Sequence, residues 1–232
     1  AILATARVDA SRWTKIDEVP FDFERRRVSV LVADGATRVL IVKGAPEDVL
    51  GLSTCCTAGG DGRVREWDEA TRTQAQRQLE SLGMQGMRAL GIAFKPVASD
   101  CDHAAVGDEA ELVFAGFAAF LDPPKKSAAK AIAALVGGGI TVKILTGDSA
   151  AVTQHICEKL AVPVSGILTG DEIAKLTDPA LQARVETVNL FCRVNPAQKN
   201  RIILAHKARG HVVGYLGDGI NDAPALHSAD VG

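Results

Sequence analysis

Leu216-Gly217-Asp218-Gly219-Ile220-Asn221-Asp222 is the stretch from which the rest of the chain is read. An apolar run over 212–216 leads into it, and a short helical pattern follows over 223–227. That order predicts a strand ending at a loop with an acidic tip. Gly217 and Gly219 let a phosphate-bearing ligand approach the backbone closely. Asp218 and Asp222 offer hard carboxylate oxygens, which suit Mg²⁺ held together with a substrate phosphate. A glycine turn carrying two solvated aspartates is the simpler alternative. The apolar lead-in and the tight G-D-G-x-N-D order favour the metal site.

Working back from this loop, strands and helices alternate. The pattern predicts a helix over 126–136, a strand over 140–145 and a helix over 149–160. A short strand near Ile167, a polar helix from Asp178, a strand over 190–194 and a helix over 197–208 follow. Such alternation builds a parallel sheet with helices on both faces, and its ligands bind beyond the carboxyl ends of the strands. Thr146-Gly147-Asp148 falls at one such end. There a helix N-terminus offers free N–H groups and the Thr146 hydroxyl adds a donor; an ordinary N-cap is the competing reading. Lys199 opens the helix after Asn195-Pro196 and on its own reads as a solvated surface lysine. Taken together, a hydroxyl, a lysine and a carboxylate loop at successive strand ends are the groups that phosphoryl transfer needs. The aspartate nucleophile usual in such sites is absent: Asp100-Cys101-Asp102 has no apolar strand before it and is rejected.

The first half reads differently. Val28-Ser29-Val30-Leu31-Val32 and Arg38-Val39-Leu40-Ile41-Val42-Lys43, joined around Asp34-Gly35, predict an antiparallel hairpin. Gly44-Ala45-Pro46 closes it, with a helix starting near Glu47. Arg25-Arg26-Arg27 is either a solvated strand edge or a face toward an anionic ligand, with Phe21 or Phe23 stacked on a base. A helix is predicted over 68–82, ended by Gly83 and Gly86, and a strand over 88–95 with Arg88 at its mouth. Arg88 is an edge arginine or a phosphate holder. Residues 100–109 read as a polar surface loop. A long strand over 112–121 ends at Asp122-Pro123-Pro124, a stiff joint where the domain boundary is placed.

Bulk properties narrow the class. The 232 residues are 47% hydrophobic, with a net charge of -2, so no global basic field draws the chain to nucleic acid or anionic lipid. Five cysteines without a C-x-x-C pair fit reduced thiols in a cytosolic setting. No run has the length of a membrane span. The start at Ala1 and the end at Gly232 lead us to expect a piece of a longer protein.

These residues together resemble the P-type cation-transporting ATPases. The second half resembles their phosphorylation domain through Asp122-Pro123-Pro124, Thr146-Gly147-Asp148, Arg193-Val194-Asn195-Pro196 with Lys199, and Gly217-Asp218-Gly219-Ile220-Asn221-Asp222-Ala223-Pro224-Ala225-Leu226. The first half resembles their nucleotide-binding domain through Pro20-Phe21 with the basic run and Ser29, Lys43-Gly44-Ala45-Pro46-Glu47, and Arg88-Ala89-Leu90. The resemblance implies an α/β fold: an antiparallel-sheet nucleotide-binding domain over 1–121, and a haloacid-dehalogenase-like, doubly wound parallel α/β domain over 122–232, incomplete here. It implies that Phe21 stacks on adenine, Lys43 and Gly44 line the base pocket, and Arg26 and Arg88 contact the nucleotide. Arg193 would approach the ribose. Thr146, with Gly147 and Asp148, and Lys199 would hold the transferred phosphoryl group. Asp218 and Asp222 would hold Mg²⁺ with Asn221 in support.

With Phe21 so placed, the ligand reading leads for Arg26. The family's D-K-T-G-T segment, with the phosphorylated aspartate, is not in this sequence and is expected upstream of Ala1. The implied cofactors are ATP and Mg²⁺, and the implied partners are the actuator and transmembrane domains of the same pump. The implied location is the cytoplasmic side of a bacterial inner membrane. Pro-Phe-Asp-Phe-Glu-Arg-Arg-Arg and Ile-Thr-Val-Lys-Ile-Leu-Thr-Gly-Asp look most similar to magnesium-translocating pumps. Calcium- or proton-type pumps, and a stand-alone phosphatase of the haloacid-dehalogenase-like group, are the alternatives.

Overall fold

The structure is a computed structural model that describes residues 9–57, 62–217, 219 and 222–232. The chain divides into two compact units, with the main break between Leu121 and Asp122.

The first unit is built on seven strands: β1 (Thr14–Asp22), β2 (Arg27–Asp34), β3 (Thr37–Gly44), β4 (Ser53–Thr57), β5 (Val64–Glu66), β6 (Met87–Val97) and β7 (Leu112–Leu121). Their order in the sheet is β1-β2-β3-β6-β7-β4-β5, antiparallel except for the β4–β7 pair. Helices α1 (Pro46–Leu52) and α2 (Glu69–Met84) belong to the same unit. Leu31, Leu40, Val42, Val49, Ala93, Leu112 and Phe114 form its core. The hairpin expected around Asp34-Gly35 is present, with Gly35 at a φ of 58°, where a side chain would be strained.

Three expectations are corrected here. The stretch 14–22, for which the sequence pattern predicts no strand, is a nine-residue edge strand. Its apolar content is too sparse to announce a strand; pairing with β2 makes it one. Gly83 does not end its helix, which runs on to Met84, and the break comes at Gly86 with a φ of 73°. The surface loop 100–109 ends on Glu109, which is only 1% exposed.

The second unit holds a parallel sheet of order β8-β10-β9: β8 (Ile144–Leu145), β9 (Ile167–Thr169) and β10 (Leu190–Cys192). Its helices are α3 (Ala128–Gly137), α4 (Ala150–Lys159), α5 (Gly170–Lys175), α6 (Asp178–Thr187), α7 (Pro196–Ala208) and α8 (Ala223–Ser228). Successive strand residues point to opposite faces, and β10 is buried on both. Phe191 packs with Ile173, Leu181, Val185 and Ile202 from α5, α6 and α7. Leu190 and Cys192 pack with Cys157 of α4 and Ile132 of α3. Helices therefore cover both faces, as the alternation predicted.

The strand expected over 212–216 is not there. Among the described residues only Gly214 pairs, in an isolated parallel bridge to Val231, and Leu216 is fully exposed. Among the described residues its backbone partners are Asp230 and Val231, too few for a ladder. The strand over 140–145 shrinks to two residues for the same reason, since among the described residues β8 pairs with β10 alone. Among the described residues no helix is long and apolar enough to cross a membrane.

Candidate functional site

The register of the first sheet gathers several of the expected residues. Asp22 of β1 pairs with Arg27 of β2, Arg27 with Gly44 of β3, and Gly44 with Gly91 of β6. One row across four strands thus puts Phe21, Arg26, Lys43 and Gly44 at the same end of the sheet. Arg88 lies three residues beyond Gly91 in the direction β3 points, about 10 Å past the row. It is exposed and sits opposite Phe120.

A bulge sets Phe21. Between the Val19–Ser29 and Asp22–Arg27 pairs, β1 spends two residues, Pro20 and Phe21, against the single Val28 of β2. A bulge bends its strand and re-aims side chains. Val19 is buried, while Phe21, two positions on, is 54% exposed. Its ring meets that of Phe23 edge to face, with centroids 5.2 Å apart.

The basic run resolves into two groups. Arg25 and Arg27 fit neither reading made for the run: both turn onto buried Glu109, at 2.6 Å each, and the Ser29 hydroxyl donates to the same carboxylate at 2.6 Å. Burial pushes the Glu109 carboxyl up, but Ser29 and the two guanidiniums outweigh it and hold the group below its usual range. Arg26 has a φ of 50° and points elsewhere, making a two-pronged pair with Asp48 at 2.9 and 2.8 Å. The Arg26 carbonyl accepts from the Ala45 N–H at 2.9 Å, tying the turn to the Lys43-Gly44-Ala45 corner. A Cβ on Gly44 would lie 2.4 Å from the Arg27 Cβ and 2.6 Å from the Arg26 carbonyl oxygen, so only glycine lets these strands close up.

In the second unit the carboxyl ends of β8 and β10 are laced together. Val194 N–H donates to the Thr146 carbonyl at 3.1 Å, and Arg193 N–H to the Asp148 carbonyl at 3.0 Å. The Thr146 hydroxyl accepts from Asp148 N–H at 3.0 Å and lies 3.2 Å from its carboxylate. Ser149, not Thr146 or Asp148, caps α4. Arg193 holds a left-handed φ of 54° and its carbonyl presses on Gly170, where a Cβ would come within 2.2 Å. Asn195 caps α7 in a reciprocal box with Gln198, and Pro196 takes the first helical position.

Lys199, in the first turn of α7, is paired rather than solvated. Its Nζ lies 2.7 Å from Asp222 Oδ1, with both side chains largely buried. The Tyr215 hydroxyl donates to the same oxygen at 2.8 Å. Burial and this bond to Asp222 push the phenol well above its ordinary range. Asp218 and Asn221 lie outside the described residues. Among the described residues no three His, Cys, Asp or Glu side chains cluster to hold a metal. Asp222 nevertheless supplies a hard, buried carboxylate next to Gly217, which suits Mg²⁺ better than softer ions.

Sequence reasoning missed Asp48, Glu109 and Tyr215. Asp48 and Glu109 sit in ordinary polar contexts, and Tyr215 was counted as part of an apolar run. No local signal marks any of them.

The family model described as "P-type ATPase, cytoplasmic domain N" matches residues 4–127, more than half of the chain. "Magnesium-transporting ATPase, P-type 1" of Salmonella typhimurium (strain LT2) is 44% identical over 98% of this chain and 25% of its own length. The protein of the same name from Escherichia coli K12 is 42% identical over the same shares. "Probable cation-transporting ATPase F" of Mycobacterium tuberculosis H37Rv is 37% identical over 96% of this chain and 25% of its own. The chain spans about a quarter of the length of these relatives.

Proposed function

Because the chain belongs to the P-type ATPases, we propose that it is the cytoplasmic ATP-binding and phosphorylation region of a pump that moves a cation, magnesium being the cargo favoured by its relatives. In this reading residues 1–121 bind the nucleotide and residues 122–232 form the haloacid-dehalogenase-like phosphorylation domain. The observation that carries it is the row Asp22–Arg27–Gly44–Gly91, which gathers the exposed Phe21 ring, Arg26 and Lys43 at one end of a sheet.

The chemistry follows from the side chains. Phe21 offers a flat apolar face to the adenine ring. Lys43 and Gly44 line the base pocket, Gly44 by letting β2 and β3 close up at this corner. Arg26 and Arg88 supply positive charge to the nucleotide. At the strand ends of the second unit Thr146, Gly147, Asp148 and Lys199 hold the transferred phosphoryl group, with lysine charge offsetting phosphate charge. Asp218 and Asp222, supported by Asn221, would hold Mg²⁺, which neutralises phosphate oxygens when bound. Asp222 also keeps Lys199 aimed, since one of its carboxylate oxygens holds the Lys199 ammonium. The sequence contains no D-K-T-G-T segment. Phosphoenzyme formation is therefore expected only where that segment accompanies these domains in a whole pump, on the cytoplasmic side of a membrane and with its actuator and transmembrane domains.

Titration calorimetry of ATP against the chain tests the nucleotide half. Phe21→Ala and Lys43→Ala should each weaken binding; unchanged affinity in both would remove the pocket from this end of the sheet. In a whole pump, Asp218→Asn should abolish Mg²⁺-dependent phosphoenzyme, and normal phosphorylation would refute the metal role.

A further inference from the structure

The bulge that presents Phe21 is held by a residue from far along the chain. The ladder between β1 and β2 skips Pro20 and Phe21. The Pro20 carbonyl accepts from Arg25 Nη2 at 2.6 Å. The other arm of the same guanidinium, Nη1, donates to both oxygens of Glu109, at 2.7 and 2.6 Å. Glu109 stands 84 residues away, ahead of β7, and its carboxylate has no exposed surface. Arg27 and Ser29 complete its shell.

The turn itself is fixed separately. Asp22 accepts from the N–H groups of Glu24 and Arg25, and Arg26 N–H donates to the Asp22 carbonyl. Those local bonds define the turn but make no contact with the bulge. Among the described residues, it is Arg25 that donates to the bulge carbonyl of Pro20. A guanidinium donates in a rigid fork, so fixing one arm on a buried carboxylate fixes where the other arm meets the Pro20 carbonyl.

We infer that Arg25 and Glu109 are positioning residues for base recognition: Glu109 anchors Arg25, and Arg25 pins the bulge so that Phe21 stands at the angle that accepts a purine ring. Neither touches the nucleotide. The inference rests on the reading of Phe21 as the base platform. A purely structural cluster would set the stability of the sheet and leave the affinity of folded protein alone; this one sets affinity through Phe21.

The test is calorimetric titration of ATP against the folded 232-residue chain and its Phe21→Ala, Arg25→Gln and Phe21→Ala/Arg25→Gln variants. Inorganic triphosphate serves as a second probe that lacks the base. Arg25→Gln leaves Arg27 and Ser29 on Glu109, so folding is retained; Glu109→Gln is added where it folds. Arg25→Gln should weaken ATP binding by roughly fivefold, the size expected for coupling between neighbouring residues. It should cost nothing further in the Phe21→Ala background and leave triphosphate binding unmoved. Wild-type ATP affinity in Arg25→Gln, a fully additive loss, or an equal loss for triphosphate would each overturn the inference. If Phe21→Ala itself binds ATP normally, the platform reading falls and takes the inference with it. That outcome differs from one in which Phe21 matters and Arg25 does not.

Discussion

Lys199 Nζ and Tyr215 Oη meet on a single atom, Asp222 Oδ1, at 2.7 and 2.8 Å. A lysine from the first turn of α7 is thus held by a carboxylate 23 residues later, next to the glycine loop. Removing one member of a buried ion pair strands the other charge. Asp222→Leu should therefore lower the stability of the second unit by about 3 kcal/mol, whereas Lys199→Met/Asp222→Leu should lose less. Amide hydrogen exchange on β10 reads this unit; an equal or larger loss in the double variant would contradict the pairing argument.

Acid should act on the first unit through Glu109. Its folded-state ionisation lies below the unfolded value, so its stabilising contribution is complete above the unfolded range, near pH 4.3. That contribution is lost as pH falls through the lower folded value. Both tryptophans, Trp13 and Trp67, lie in this unit, so their fluorescence reports it. Glu109→Gln should be less stable at pH 7 and show a shallower decline below pH about 4 than the parent chain. Parallel acid profiles for the two proteins would count against this assignment.

His206 should make the second unit acid-sensitive as well, over a higher pH window. Burial, then Lys143 and His211, lower it to about 4 against the attraction of Glu186, and among the described residues its buried Nε2 has no hydrogen-bond partner. The unfolded chain, with an ordinary imidazole near 6.5, binds the proton first. Stability therefore drops as pH falls from about 6.5 toward 4, by on the order of 3 kcal/mol, and then levels. His206→Leu should flatten that limb in exchange-based stability measurements, and an unchanged slope would place the titration elsewhere.

Gly44→Ala tests close packing at the row. The added methyl meets the Arg27 Cβ and the Arg26 carbonyl at under 3 Å, neither of which can swing aside. Strands β2 and β3 must part, at a cost of about 1–3 kcal/mol. Thermal unfolding followed by tryptophan fluorescence should show the loss, together with weaker ATP binding. A variant as stable as the parent would mean that the corner yields freely.

Much of the local order was legible in advance. The hairpin through Asp34-Gly35, the Asn195-Pro196 helix start and the long strand into Asp122-Pro123-Pro124 each announce themselves by turn chemistry or periodicity within a few residues. The run 212–216 shows where that reasoning stops. Its apolar residues have strand preference, but a strand exists only with neighbours to complete its ladder, and among the described residues it pairs only at 230–231. The same limit hid β1, whose edge position beside β2 outweighs its polar composition.

The sequence by itself determined the family, the alternation of the second half and the residue types that phosphate and metal chemistry require, because motifs and periodicity are written in consecutive residues. Only the tertiary structure decided that Arg25 and Arg27 serve a buried glutamate, that Arg26 turns to Asp48, and that Tyr215 joins Lys199 on Asp222. Those partners stand 84, 82, 22 and 7 residues apart. Which of several charged or hydroxyl groups meets which is set by strand register and burial, and neither is encoded in any short window of chain.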